Sequence, residues 1–182
     1  MNLTKEEQKI LLENARESIM AKLEEREPKY QNTDSKSLNE KRGAFVTLYI
    51  NKNLRGCIGR ISATEPLIKN IHLMSLSSAF GDPRFPPLTK EEASQCRIEI
   101  SVLSPLKLCK DPRTVEVGTH GLYLIHKGRS GVLLPQVPIE QGWDLNEYLN
   151  YICVKAGLPP NSYNAPSAEL YTFTALIFGE EK

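Results

Sequence analysis

The chain has 182 residues, 40% hydrophobic and 7% aromatic, with 23 Lys+Arg against 22 Asp+Glu, a net charge of +1 and a mean hydropathy of -0.36. That length buries a core without staples and fits one domain over residues 1 to 182, although two tightly joined lobes fit as well. Near-neutrality excludes a bulk electrostatic role on nucleic acid or an anionic membrane, which needs clustered excess Lys and Arg, and no stretch approaches the roughly 20 apolar residues of a membrane span.

Thr4 followed by Glu7 forms a capping box, and Leu11, Leu12, Ala15, Ile19 and Leu23 recur at helical spacing, so an amphipathic helix is expected over residues 4 to 26. This charged, helix-patterned start is neither an apolar signal sequence nor an Arg-rich transit peptide, and a cytoplasmic protein with reduced thiols is the expectation. Residues 28 to 41, PKYQNTDSKSLNEK, read as a long loop. From Gly43 the run GAFVTLYI reads as a strand, and a turn at Asn51-Lys52-Asn53 leads into a second strand holding LRGCIGRI, a hairpin. Thr64 is the expected cap of a helix with Pro66 in its first turn, ending at Gly81; the turn GDPRFPPL and a short helix opened by Thr89 follow.

The run CRIEISVL alternates Ile98, Ile100 and Val102 with Arg97, Glu99 and Ser101, the pattern of an antiparallel strand with one face buried. GLYLIHKGRSGVLLP reads as a second hairpin turned through residues 127 to 131. Asp144 and Glu147 cap the next helix, which Gly157 closes before Pro159 and Pro160, and ELYTFTALIF reads as one last strand. Strands and helices intermix without strict βαβ alternation, so the expected class is α+β, mostly antiparallel sheet with flanking helices.

No Walker A loop, dinucleotide-binding fingerprint, zincin motif or nucleophile elbow is present. The four cysteines show no C-x-x-C and no zinc-finger offset to histidine, so no metal is indicated. The segment left to carry chemistry is Leu54-Arg55-Gly56-Cys57-Ile58-Gly59-Arg60. Gly56 and Gly59 in a strand mark a bulge or a close backbone approach. Arg55 and Arg60 bracket Cys57; guanidinium groups favour the thiolate and clamp carboxylate or phosphate. The bland account stays open beside this: glycines serving the hairpin, a buried thiol and surface ion pairs. Three histidines could serve as a base. His72 reads as half-buried and satisfied, His120 as a turn residue and His126 as solvent-exposed. Arg84 and Phe85, in a loop stiffened by three prolines, are candidates for a pocket rim. Trp143 reads as a packing anchor at the entry to its helix. Residues 43 to 110 carry nine Lys+Arg and five Asp+Glu against five and eight in residues 111 to 182. That imbalance fits either a small-anion site or attraction between lobes.

The ordered blocks LRGCIG, DPRFPPL, EISVLSP, GVLLPQV and EQGW, between about Gly43 and Ile177, resemble the AMMECR domain family, called AmmeMemoRadiSam system protein A in prokaryotes. The resemblance implies an α+β body, residues 43 to 178, of two unequal lobes forming a cleft near LRGCIG. It also implies association with Memo-like and radical SAM proteins, and it supplies no established reaction or cofactor. On the matching blocks, Cys57 is the catalytic candidate, and Arg55, Gly56, Gly59, Arg84 and Gln136 are the substrate-binding candidates. Two functions follow as expectations: an enzyme or modification-system component acting on a small anionic or protein substrate, or a non-catalytic binding or adaptor protein.

Overall fold

The computed structural model describes residues 3 to 31 and 33 to 181. Its contacts divide the chain into two compact units, residues 1 to 103 with 176 to 182, and residues 104 to 175. The fold is α+β with two four-stranded antiparallel sheets and flanking helices, as the patterning indicates.

In the first unit, α1 spans Lys5–Leu23, and its capping box at Thr4 and Glu7 is formed as expected. The helix stops three residues short of Arg26 because Glu25 turns into the left-handed region at φ 53°, while Arg26 folds back to bind Glu17. The expected loop of residues 28 to 41, of which Asn32 lies outside the described residues, contains one helical turn, α2 at Lys36–Asn39. Ser35 caps that turn, and its Leu38 is fully buried. The buried leucine contributes about 2 kcal/mol toward ordering a segment that is polar on average, and the Ser35 hydroxyl ties it to α1 by donating to Glu7.

The hairpin forms as β1, Ala44–Ile50, and β2, Asn53–Arg60. Helix α3 spans Leu67–Phe80, and Thr64 does not cap it. Its first turn is held by tertiary contacts that no cap pattern reveals: the Leu67 N–H donates to the Glu40 carbonyl at 2.8 Å, and Lys41 bridges to Pro66. Thr89 and Glu92 form a capping box on α4, Lys90–Gln95. Strand β3, Arg97–Leu103, pairs antiparallel with β1 and buries Ile98, Ile100 and Val102 as expected. These residues form one core with Val46 and Leu48 of β1, Leu11 and Ile19 of α1, and Ile71 of α3.

The second unit contains β4 (Lys107–Leu108), β5 (Gly121–His126), β6 (Arg129–Leu133), α5 (Val137–Gln141), α6 (Leu145–Lys155) and β7 (Glu169–Phe173). The β5–β6 turn is tighter than the sequence indicates. Only Lys127 and Gly128 connect the strands, both at positive φ (50° and 71°), the geometry that suits the twist of a hairpin. Asp144 and Glu147 cap α6 as expected. His126, expected in solvent, is buried at 5% exposure and lies 3.4 Å from the Ser167 hydroxyl. The expected last strand is two strands in different sheets, β7 and β8 (Ala175–Gly179). At the break, Thr174 donates its N–H to the Ser104 hydroxyl and accepts from the Ser104 N–H, both at 2.9 Å. The first sheet has the order β2-β1-β3-β8 and the second β4-β7-β5-β6.

Sorting charge by unit removes the asymmetry seen along the chain. The first unit holds 17 Lys+Arg and 16 Asp+Glu and the second six of each, because Lys107 and Lys110 fall in the second unit and the last residues, with Glu180 and Glu181, return to the first.

Candidate functional site

Strand β2 departs from regular pairing at the motif. Register runs Ile50–Asn53, Tyr49–Leu54 and then Leu48–Gly56, so Arg55 is the extra residue of a β-bulge. Consecutive residues Arg55 and Gly56 are both buried, which strict alternation on a half-exposed strand forbids. Gly56 and Ile58 pair with Leu48 and Val46, whereas Cys57 pairs with Thr47.

The glycines allow close approach. A Cβ on Gly56 would lie 2.2 Å from the Ser78 carbonyl oxygen of α3, and one on Gly59 would lie 2.2 Å from the Phe45 ring. Ser78 belongs to the same contact. Its hydroxyl donates to the Val46 carbonyl at 2.7 Å and accepts from the Ile58 N–H at 2.9 Å, tying helix to sheet where a bulkier pair would not fit.

Cys57 is half-buried with a free thiol. The Thr47 hydroxyl donates to its Sγ at 3.3 Å. Its backbone is read by one ion pair. The Cys57 N–H donates to Asp82 Oδ2 at 2.9 Å, and Arg84 Nη2 donates to the Cys57 carbonyl at 3.2 Å. Arg84 is also bidentate on Asp82, with Nε–Oδ1 at 3.0 Å and Nη2–Oδ2 at 2.7 Å. The Asp82 side chain is 1% exposed, and the Arg84 side chain 53%. Arg84 and the two backbone donors hold the Asp82 carboxyl well below the usual carboxylate range against the opposing effect of burial. Since β2 is the edge of its sheet, Asp82 and Arg84 supply the acceptor and donor that a further strand would offer there.

Arg55 faces a different partner. It is 8% exposed and bidentate on Glu92, with Nε–Oε1 at 2.9 Å and Nη2–Oε2 at 2.7 Å, and it also donates to the Pro86 carbonyl at 2.9 Å. Glu92 raises the Arg55 pKa, and Arg55 lowers that of Glu92. The Arg55 Nη1 is buried without a hydrogen-bond partner. The Phe85 ring has the guanidinium carbons of Arg55 and Arg84 at 5.7 and 5.6 Å from its centroid, within cation–π range.

The structure therefore brings together Cys57, Arg55, Gly56, Gly59 and Arg84. Four residues that sequence reasoning passed over complete the cluster: Thr47, Ser78, Asp82 and Glu92. Asp82 had a signal in its two-residue spacing from Arg84; Glu92 was visible only as a helix cap, a role it also performs through the Thr89 N–H at 3.0 Å. Gln136 belongs to the second unit, where it precedes α5 and leaves its Oε1 buried without a partner. His72 is half-buried and satisfied, as expected, and is engaged away from the thiol. Its Nδ1 meets the Ser18 hydroxyl at 2.9 Å and the Tyr30 hydroxyl. A surface depression of about 990 Å3 in the first unit, lined by Tyr49, Lys52, Arg97 and Glu99 among others, does not include Cys57. Among the described residues no group of three or more His, Cys, Asp or Glu is arranged to hold a metal ion.

In the second unit Trp143 stacks on Tyr151 with ring centroids 4.0 Å apart, which fits its reading as a packing anchor. Tyr148 is fully buried and donates to the His120 carbonyl at 3.0 Å.

The chain is similar to Protein MK0488 of Methanopyrus kandleri, 42% identical over 189 residues, covering 99% of this chain and 91% of the relative. It is 45% identical over 150 residues to Protein MJ0810 of Methanocaldococcus jannaschii, covering 78% and 75%. The crystal structure of the uncharacterized protein PH0010 from Pyrococcus horikoshii superposes with a TM-score of 0.86 at 40% identity, covering 94% of this chain and 90% of that one. The AMMECR1 family model matches residues 12 to 178, and the chain belongs to the AMMECR1 family.

Proposed function

We propose that this protein is a binding component of a modification system and that the corner built on Cys57, Asp82 and Arg84 recognises a partner. The observation that carries the reading is the prior engagement of both candidate anion clamps. Buried Arg55 is neutralised by the partly exposed Glu92, and Arg84 is bidentate on Asp82. A site for a free small anion keeps its cations uncommitted, whereas a fixed ion pair with a half-exposed guanidinium suits recognition of polar groups on a folded partner. The partners expected from the family resemblance are Memo-like and radical SAM proteins, and the expected location is the cytoplasm.

The test is binding of purified candidate partners to wild type, Arg84→Ala and Cys57→Ala. Loss of binding at least tenfold with Arg84→Ala and retention with Cys57→Ala supports the reading. Full retention with Arg84→Ala overturns it. One observation favours a second reading, an enzyme with Cys57 as its nucleophile: the thiol is half-buried and free, and the Thr47 hydroxyl donates to its sulfur. Under that reading Cys57→Ala abolishes turnover of a small anionic or protein substrate while partner binding persists.

A further inference from the structure

The two edges of the first sheet are treated differently. At β2 the Asp82–Arg84 pair occupies the backbone of Cys57. At the opposite edge, β8 has the sequence ALIFG, with no charge and no proline to discourage pairing, and Ile177 at its centre is 39% exposed. Natural sheets guard such edges unless the edge is used. Between β8 and α1 runs a groove of about 760 Å3, with Leu12, Ile177 and Phe178 supplying its apolar surface.

We propose that β8 pairs antiparallel with β8 of a second copy of this chain, joining two four-stranded sheets into one of eight strands about a two-fold axis. A symmetric contact must be self-complementary, and two features meet that requirement. First, an axis through Ile177 sets Leu176 of one copy against Phe178 of the other. Both side chains already pack on the core of their own unit, so the pairing extends one apolar layer into the next. Second, the groove face of α1 carries Lys5, Lys9 and Glu13 at intervals of four residues, with Leu12 beside them, while Arg16 and Glu17 of the same face are held by Glu180 and Arg26. The same axis lays the two α1 helices antiparallel, setting Lys9 of each copy against Glu13 of the other. These two groups have little to lose within one chain. They form an exposed pair at 3.8 Å, with side chains 64% and 42% exposed. A partner with an unrelated strand would satisfy the edge but has no reason to match the order of Lys9 and Glu13 on α1.

Sedimentation equilibrium or light scattering on the full chain over a wide concentration range tests the proposal. Wild type is expected to approach twice its 20.5 kDa chain mass. Ile177→Lys, a charge at the centre of the edge, is expected to sediment at single-chain mass with unchanged circular dichroism. Lys9→Glu places like charges across the axis and is expected to weaken the dimer by roughly tenfold or more; adding Glu13→Lys restores it. A wild-type chain that stays at single-chain mass throughout overturns the proposal and leaves the edge to a strand from another protein. A dimer that survives both Ile177→Lys and Lys9→Glu also overturns it, by placing the interface elsewhere.

Discussion

Replacing Gly56 with alanine isolates the contact on which the motif depends. The added Cβ would sit 2.2 Å from the backbone oxygen of Ser78 and 3.1 Å from its carbonyl carbon, and a backbone oxygen cannot rotate away. Strand and helix must therefore separate by about 1 Å to reach ordinary contact, an overpacking strain of about 1–3 kcal/mol. Separation also stretches the hydrogen bonds that the Ser78 hydroxyl makes to Val46 and Ile58, at 2.7 and 2.9 Å, each contributing about 1 kcal/mol. The expected loss is about 3 kcal/mol, or about 6–12 °C in Tm for a chain of this size. Gly128→Ala is the control. Gly128 stands at φ 71° with nothing within 4 Å of its added Cβ, so its cost is conformational only, about 1 kcal/mol. Urea unfolding followed by circular dichroism, with calorimetry for Tm, measures both. A Gly56→Ala variant within 1 kcal/mol of wild type, or no worse than Gly128→Ala, would refute the argument that close helix–strand approach is what the glycine provides.

Three other outcomes follow from the same cluster. Glu92→Gln leaves the buried Arg55 guanidinium uncompensated. Because the Glu92 side chain is 34% exposed, the expected loss is about 2 kcal/mol, less than a fully buried pair would cost. Adding Arg55→Met should recover most of it in urea titrations. The Asp82 carboxyl is depressed in the folded state, so its stabilisation is fully present above its unfolded value near about 4 and drains away as pH falls below that. Asp82→Asn should therefore be less stable than wild type at pH 7 and show a shallower loss of stability on acidification below about pH 4, read from unfolding midpoints across pH. Thiol titration with an aromatic disulfide should show two fast groups and two slow ones. Cys57 and Cys109 are half-buried, whereas Cys96 and Cys153 are buried and burial pushes both of those thiols up. Four equally fast groups would contradict this order.

Local chemistry made most elements readable. Thr4 with Glu7, Thr89 with Glu92 and Asp144 with Glu147 are helix starts written within four residues, and all three capping boxes form. The alternation of Ile98, Ile100 and Val102 gives β3 its buried face directly. The misses occur where a distant backbone group replaces a local signal. Leu67 begins α3 on the Glu40 carbonyl instead of on Thr64, and Thr174 divides an unbroken strand pattern by pairing with Ser104. Periodicity cannot register either event, because the partner lies 27 residues away in one case and 70 in the other.

At the candidate site the sequence by itself identified the segment, its paired glycines and its thiol, because composition and spacing there are unusual for a strand. It also gave the family through the ordered blocks, which the family match over residues 12 to 178 bears out. Only the tertiary structure decided what the arginines do. The bulge at Arg55 delivers it to Glu92, 37 residues on, while the turn after α3 brings Asp82 and Arg84 to the backbone of Cys57. A guanidinium takes the nearest carboxylate in space, and that neighbour is set by how strand and helix pack, which a linear pattern of charges does not encode. The near-neutral net charge shows the same point: the basic middle segment and the acidic last segment become two nearly neutral units once Lys107 and Lys110 fall in the second unit and the last residues return to the first.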